Sequence, residues 1–172
     1  MTYENYIPGV KFDIKTTCEK CFYNPNSHSF HLLSINKTLS EAYFYSCIGK
    51  SKYYNDDDDE GFVKHMQLEI SKIKTKTWVW VFDGAQFGFK HLASPSFGMK
   101  IVNFLDSFYS KNLQKIIIIN QNSIPFKIML NTIWHCIPQY IRKKIVFDKN
   151  KLFSKLLNID DKLYLLEEKL TF

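Results

Sequence analysis

Lys76-Thr77-Trp78-Val79-Trp80-Val81-Phe82-Asp83-Gly84 and Lys115-Ile116-Ile117-Ile118-Ile119-Asn120 are the two runs on which the fold turns. Both are short, apolar on both faces and closed by a polar residue, as suits buried parallel strands, and β-branched isoleucine favours extended backbone. Between them Ser94-Pro95 offers an N-cap with proline at the first helical position, and Phe97, Ile101, Leu105 and Phe108 recur on one helical face up to about Lys111. A second helix is expected over about Phe126 to Ile137, then a strand with a basic entrance over Arg142 to Phe147. Strand and helix alternate, which implies a mostly parallel sheet with right-handed crossovers, an α/β class.

Upstream, Phe62, Val63, Met66, Ile70 and Ile73 form the stripe of an amphipathic helix. Two apolar runs, Cys21 to Tyr23 and Phe30 to Ile35, flank the turn formers Asn24-Pro25-Asn26-Ser27 and predict a β-hairpin. An aromatic run, Tyr43 to Ile48, follows. Asn55 to Gly61 contains consecutive acids that repel one another and predicts a solvated loop, without the ligand spacing of a calcium loop. Residues 1–15 read as an arm, and Leu152, Phe153, Leu156 and Leu157 mark a further helix.

A length of 172 residues, 45% of them hydrophobic, suits one domain over residues 1–172 with one core. No apolar run approaches the roughly 20 residues that cross a bilayer, and the polar start lacks the features of a signal peptide, so a soluble cytoplasmic protein is expected. Four scattered cysteines predict reduced thiols rather than a disulfide framework. The net charge of +6 favours anionic partners. All but one of the 23 cationic residues are lysine, the exception being Arg142, and arginine is the better reader of phosphate and guanine. A nucleic-acid-binding role, with Lys111, Lys115, Lys127 and Lys144 tracking phosphates, is thus the less favoured alternative.

Several residues invite a chemical reading. Cys18, Cys21, His28 and His31 form C-x2-C-x6-H-x2-H, all zinc-ligand types, but the spacer is short and the histidine spacing is not that of a finger, so no metal is assigned. The ordinary alternative is a hairpin that exposes two histidines and buries a cysteine. Gly84-Ala85-Gln86-Phe87-Gly88 lacks the pattern of a phosphate-binding loop, no serine sits in a nucleophile elbow, and no cofactor is expected. Asp83 ends a buried strand, where a catalytic carboxylate could stand, yet a cap on the following turn is the simpler role. Trp78, Trp80 and Phe82 alternate with smaller residues, so their rings share one face and are candidates to line a hydrophobic cavity. The expected helix near Phe126 has an apolar arc of roughly 160°, against about 100° for an ordinary surface helix. Phe126, Met129, Leu130, Ile133, Trp134, Cys136 and Ile137 make it.

Taken in order, these segments resemble the CRAL-TRIO (Sec14-like) lipid-binding domain. Val81-Phe82-Asp83-Gly84 is similar to that family's hydrophobic-D-x-x-G strand end, and His91 to Pro95 to the segment leading into its next helix. Phe108 to Leu113 stands where the family carries YYPER. Ile116 to Asn120 with Ile124-Pro125-Phe126 resembles iyiiNaPxxF, Ile137 to Phe147 resembles pfLxxxtxxKIvf, and Ile159 to Lys169 is similar to the closing segment.

The resemblance implies a mixed, mostly parallel sheet flooring an apolar pocket, roofed by helices that open to admit one lipid, with the helix near Phe126 as the gate. Phe126, Met129, Leu130, Ile133 and Trp134 would seal the acyl chains together with Trp78, Trp80 and Phe82. Lys144 occupies the position of the lysine that holds phosphoinositol in phosphatidylinositol-binding members. Lys111 replaces the glutamate of YPER, and Ile141 replaces a threonine, so two inositol contacts depart from the pattern. Trp78 and Trp80 align with the serine and threonine of choline-binding members, which favours an anionic lipid, with Lys111, Arg142, Lys143 and Lys144 supplying charge. The N-terminal helical module of many members is not recognised. The expected protein is a non-enzymatic, monomeric phosphatidylinositol-binding and transfer protein that visits membranes transiently, or else a carrier of another apolar ligand such as a retinoid or tocopherol.

Overall fold

The computed structural model describes residues 18–24, 27–51, 58–74, 76–93, 95–107 and 111–149. The N-terminal arm, the helix after Leu152 and the closing segment lie outside them, as do Ser94 and residues 108–110.

Five strands form one sheet in the order β1-β2-β3-β4-β5: His31–Asn36, Glu41–Ser46, Thr77–Asp83, Leu113–Ile119 and Ile145–Phe147. The first pair is antiparallel and the other three pairs are parallel. Each parallel step needs a crossover. Helix α2 (Asp59–Ser71) joins β2 to β3, α3 (Pro95–Asp106) joins β3 to β4, and α4 (Ile124–Trp134) leads on to β5. Because the strands are added in one direction, right-handed crossovers bring all three helices to the same face of the sheet. The register aligns Phe44, Trp80, Ile116 and Ile145 across four strands on that face. This row is the floor of the main core, into which Phe62, Met66, Phe97, Ile101, Leu105 and Phe126 descend from the helices. The opposite face carries the smaller cluster Val79, Val81, Ile117 and Ile119 with Tyr43 and Tyr45.

The mixed α/β class is the one expected, β3 and β4 stand where their runs place them, and α3 starts at the expected Pro95 but ends at Asp106, short of Lys111. The differences lie in the less regular segments. The hairpin is formed one step later, by β1 and β2 around residues 37–40, whereas Cys21-Phe22-Tyr23 belong to a short helix α1 (Glu19–Tyr23) started by Cys18. An aromatic triplet alone does not separate strand from helix, and Cys18 Sγ accepts from the Cys21 backbone N–H at 3.4 Å, which favours the helical turn. Asp59, Glu60 and Gly61 are helical rather than loop, since acids are favourable at the positive end of α2. Helix α4 starts earlier than expected, where Ser123 Oγ accepts from Phe126 N and Pro125 sits in the first turn, and it stops at Trp134. Arg142 ends a four-residue helix α5 (Gln139–Arg142) instead of opening β5, because Pro138 sets a new helical start ahead of it.

Candidate functional site

Between the sheet and α3 and α4 lies an apolar cavity of about 140 Å³. Trp80, Phe82, Ile116 and Ile118 form its floor, α3 lines it through Phe97, Gly98, Ile101, Val102 and Leu105, and α4 closes it with Phe126, Met129, Leu130 and Ile133. Ile137, Ile141 and Ile145 complete the end beyond α4. Its polar side chains are His91 and Thr132, apart from the indole of Trp80, whose Nε1 donates to Ser46 Oγ at 2.7 Å. Burial holds the His91 imidazole below its ordinary 6.5, so the neutral ring faces this apolar space.

Helix α4 is the least embedded wall. Phe126 is buried, but Met129, Leu130, Ile133 and Trp134 are half-buried, and Ile124 and Ile128 are 67% and 45% exposed. The contact with α3 is close where Gly98 faces it: a Cβ at Gly98 would stand 3.4 Å from Ile133 Cγ2. Six of the eight aromatic and aliphatic residues singled out in the sequence therefore share one cavity. The other two do not line it. Trp78 is buried deeper in the core with its ring edge on Phe44, and Trp134 lies against Phe147.

The cationic candidates stand outside the cavity. Lys144 is half-buried and its Nζ donates to the Leu113 carbonyl at 2.6 Å, at the start of β4. It precedes Ile145, which does line the cavity. Lys111 and Lys143 are exposed, and Arg142 is half-buried with its Nε lacking a hydrogen-bond partner among the described residues.

Asp83 has the turn-capping role. Its Oδ1 accepts from Ala85 N at 2.8 Å and from Asn120 Nδ2 at 2.9 Å, while its Oδ2 accepts from Tyr45 OH at 2.6 Å. Burial, then the carboxylate, raises the Tyr45 phenol above its ordinary value, so it stays a donor. The carboxylate is thus engaged by groups from three strand ends.

A second constellation stands apart from the cavity. Cys18, Cys21 and His28 come together as the sequence pattern suggests, but the fourth member is His65 of α2, not His31. His31 is exposed on β1 beside Tyr45, its ring centroid 5.4 Å away. A hydrogen bond between the two free thiols is the main cause that lowers Cys21 to about 7 and raises Cys18. His65 was legible only in retrospect, as a histidine three residues after Phe62 on the apolar stripe of α2.

A mostly parallel sheet with its helices on one face and a half-buried helix over an apolar cavity defines an α/β domain built around an internal apolar chamber. A family profile described as the CRAL/TRIO domain matches residues 60–168. The chain belongs to the CRAL/TRIO family, whose members take lipophilic ligands. No curated protein matches the sequence. Among solved structures, the crystal structure of Sfh5, a Sec14-like protein, superposes with a TM-score of 0.56 at 14% identity, covering 80% of this chain and 58% of that one. The chain spans less than two thirds of that relative, and the likeness at this identity is one of fold. No helix among the described residues is long and apolar enough to cross a membrane.

Proposed function

We propose that this protein binds a single phospholipid in the chamber beneath α4 and exchanges it between membranes without catalysing a reaction. The observation that carries the proposal is the cavity itself, lined almost wholly by apolar side chains and covered by a helix most of whose apolar residues are half-buried or exposed. At about 140 Å³ it is smaller than the roughly 300–1,000 Å³ of small-ligand sites, so the present arrangement is the closed one and loading requires α4 to swing outward. Opening would bring Phe126, Met129, Leu130 and Ile133 to the surface beside the exposed Ile124 and Ile128, an apolar face suited to a bilayer interface. Acyl chains gain on the order of 0.8 kcal/mol per buried CH₂ relative to water, but a membrane offers them nearly the same, so exchange is close to balanced.

The favoured headgroup is anionic, phosphatidylinositol or a phosphorylated form. Lys144 stands next to the cavity-lining Ile145, and Arg142, next to the cavity-lining Ile141, has a buried Nε with no acceptor among the described residues. A phosphate could engage both cations in charge-assisted hydrogen bonds. Lys111, exposed, would contribute only long-range attraction, and a monomer visiting the membrane transiently suffices for the cycle.

A second occupant class, a smaller apolar molecule of retinoid or tocopherol type, is favoured by the cavity's size and by its few polar groups. Mass spectrometry of an organic extract of protein purified from a eukaryotic host separates the two. Phospholipid at about one per chain, with interbilayer transfer of phosphatidylinositol reduced in Lys144→Ala, is the expected result. A non-phospholipid occupant establishes the second class, and unchanged phosphatidylinositol transfer in Lys144→Ala removes the headgroup assignment.

A further inference from the structure

We propose that Cys18, Cys21, His28 and His65 form a structural zinc site that clamps α1 and the segment before β1 onto α2. One donor atom from each of the four lies within 4.8 Å of all the others. All four residues are buried, at 7%, 5%, 2% and 5% exposure. Two thiols and two imidazoles are a donor set that selects zinc, and four protein ligands leave no open position, which marks a structural site rather than a catalytic one.

The distances suit a shared metal. His28 Nδ1 lies 3.3 Å from Cys18 Sγ and 3.7 Å from Cys21 Sγ. Those two separations bracket the edge of roughly 3.5 Å that a tetrahedron with zinc–sulfur bonds of about 2.3 Å and zinc–nitrogen bonds of about 2.0–2.1 Å would have. One imidazole nitrogen thus addresses both sulfurs at once, as a ligand to an ion shared with them would.

The ring orientations point the same way. His28 Nε2 is 2.7 Å from Asp58 Oδ2, and His65 Nε2 is 2.7 Å from the Phe30 carbonyl. Both partners can only accept, so each Nε2 carries the proton and, in the neutral ring, each Nδ1 presents a lone pair. His28 Nδ1 turns to the two sulfurs, and His65 Nδ1 is buried without a hydrogen-bond partner among the described residues. Metal-bound histidines characteristically donate their second nitrogen to a carboxylate or a backbone carbonyl, and this cluster has one of each. Asp58 is in turn held by Lys20 Nζ at 3.1 Å.

The local backbone is shaped to the sulfurs as well. The Cys21 N–H points at Cys18 Sγ at 3.4 Å and the His28 N–H at Cys21 Sγ at 3.4 Å, contacts that favour thiolates over thiols. Without an ion, the same arrangement leaves a buried imidazole nitrogen unsatisfied. With one, every donor is used. The ligands come from α1, from the turn before β1 and from α2, so the ion would cross-link segments far apart in the chain, as structural zinc does in small domains.

The test is elemental analysis of the full chain purified under reducing conditions, together with cobalt titration of the same chain after chelation. Zinc at one per chain, and a cobalt spectrum with intense tetrahedral ligand-field bands and thiolate charge transfer, are expected. Cys21→Ser and His65→Gln should reduce zinc to below about one fifth of that content, while His31→Gln should keep it. Where a variant fails to fold, the parent's cobalt spectrum decides by itself. No zinc above background with no tetrahedral cobalt spectrum would overturn the site, as would zinc lost in His31→Gln but kept in His65→Gln. None of these readouts depends on lipid.

Discussion

Asn120 Nδ2 donates to Asp83 Oδ1 across 2.9 Å, tying the residue after β4 to the last residue of β3. Asn120 holds a left-handed backbone, φ 51°, which asparagine tolerates better than most residues, and that turn aims its amide back at the neighbouring strand. Asp83 also accepts from Ala85 N and Tyr45 OH, so one buried carboxylate fastens three strand ends. Asp83→Ala strands the Asn120 amide and the Tyr45 hydroxyl in a buried setting. Hydrogen bonds to charged groups contribute about 1.5–3 kcal/mol each, so unfolding free energy should fall by about 3 kcal/mol in urea titrations. Asp83→Asn should cost less, and a loss of ligand binding without any loss of stability in it would argue for a chemical rather than structural carboxylate.

Gly84 is the second half of this junction. Its N–H donates to the Ile119 carbonyl at 3.0 Å, drawing β3 and β4 together where the strands end. A Cβ at Gly84 would sit 2.9 Å from the Asn120 carbonyl oxygen and 3.3 Å from the Phe126 ring. Backbone cannot yield as a flexible side chain can. Gly84→Ala should destabilise by about 1–3 kcal/mol, read as a lowered thermal midpoint, and should disturb the first turn of α4 through Phe126.

Gly98 offers the contrasting case. It lies within α3, and a Cβ there meets Ile133 Cγ2 at 3.4 Å, ordinary contact. Gly98→Ala removes a helix-weakening residue and should raise stability by up to about 1 kcal/mol. Gly98→Phe places a ring in the cavity between α3 and α4. Under the lipid-chamber proposal its co-purified lipid should fall several-fold from about one per chain, and unchanged lipid content would speak against that chamber.

Ile124 and Ile128 are an independent test of the lid face. They are exposed on α4 and contribute little to the core, so Ile124→Ser with Ile128→Ser should change unfolding free energy by no more than about 0.5 kcal/mol per site. If α4 meets the bilayer, vesicle-to-vesicle transfer slows while the lipid content of the purified protein stays constant. Equal transfer rates would move the membrane contact to another surface.

How much of this was legible beforehand follows from where the signal is periodic. The tryptophan and isoleucine strands and α3 announced themselves because burial on a regular element repeats every second residue or every third and fourth. Helix α4 showed its wide apolar arc, and four of its residues and two strand residues opposite do meet in one cavity. Trp78 shares a face with Trp80, but which position along a strand reaches a cavity depends on how the helices are set above it. The β1–β2 hairpin was missed in favour of a turn at Asn24 to Ser27, because turn formers also surround the short helix α1. His65 was missed because a cluster member brought from a distant helix leaves no spacing to read.

His91 carries the pH dependence of the cavity wall. Its Nδ1 lies 2.8 Å from the Gly88 N–H and 3.1 Å from the Gly88 carbonyl; the shorter contact is open only to an unprotonated nitrogen. Burial lowers its pKa below 6.5, the value it regains on unfolding. Between the lowered folded value and 6.5 the unfolded chain therefore binds more protons than the folded one. The stability contribution is fully present above 6.5 and is lost as pH falls below it towards the folded value. Urea titrations at about pH 7.5 and about pH 5.5 should show the parent losing more stability on acidification than His91→Gln. The His91 imidazole resonance, followed by NMR, should still report the neutral ring at about pH 6.5, where a solvated histidine is half protonated. A titration midpoint at or above that of a free histidine would mean that the wall is hydrated, and with it the dry chamber on which lipid burial depends.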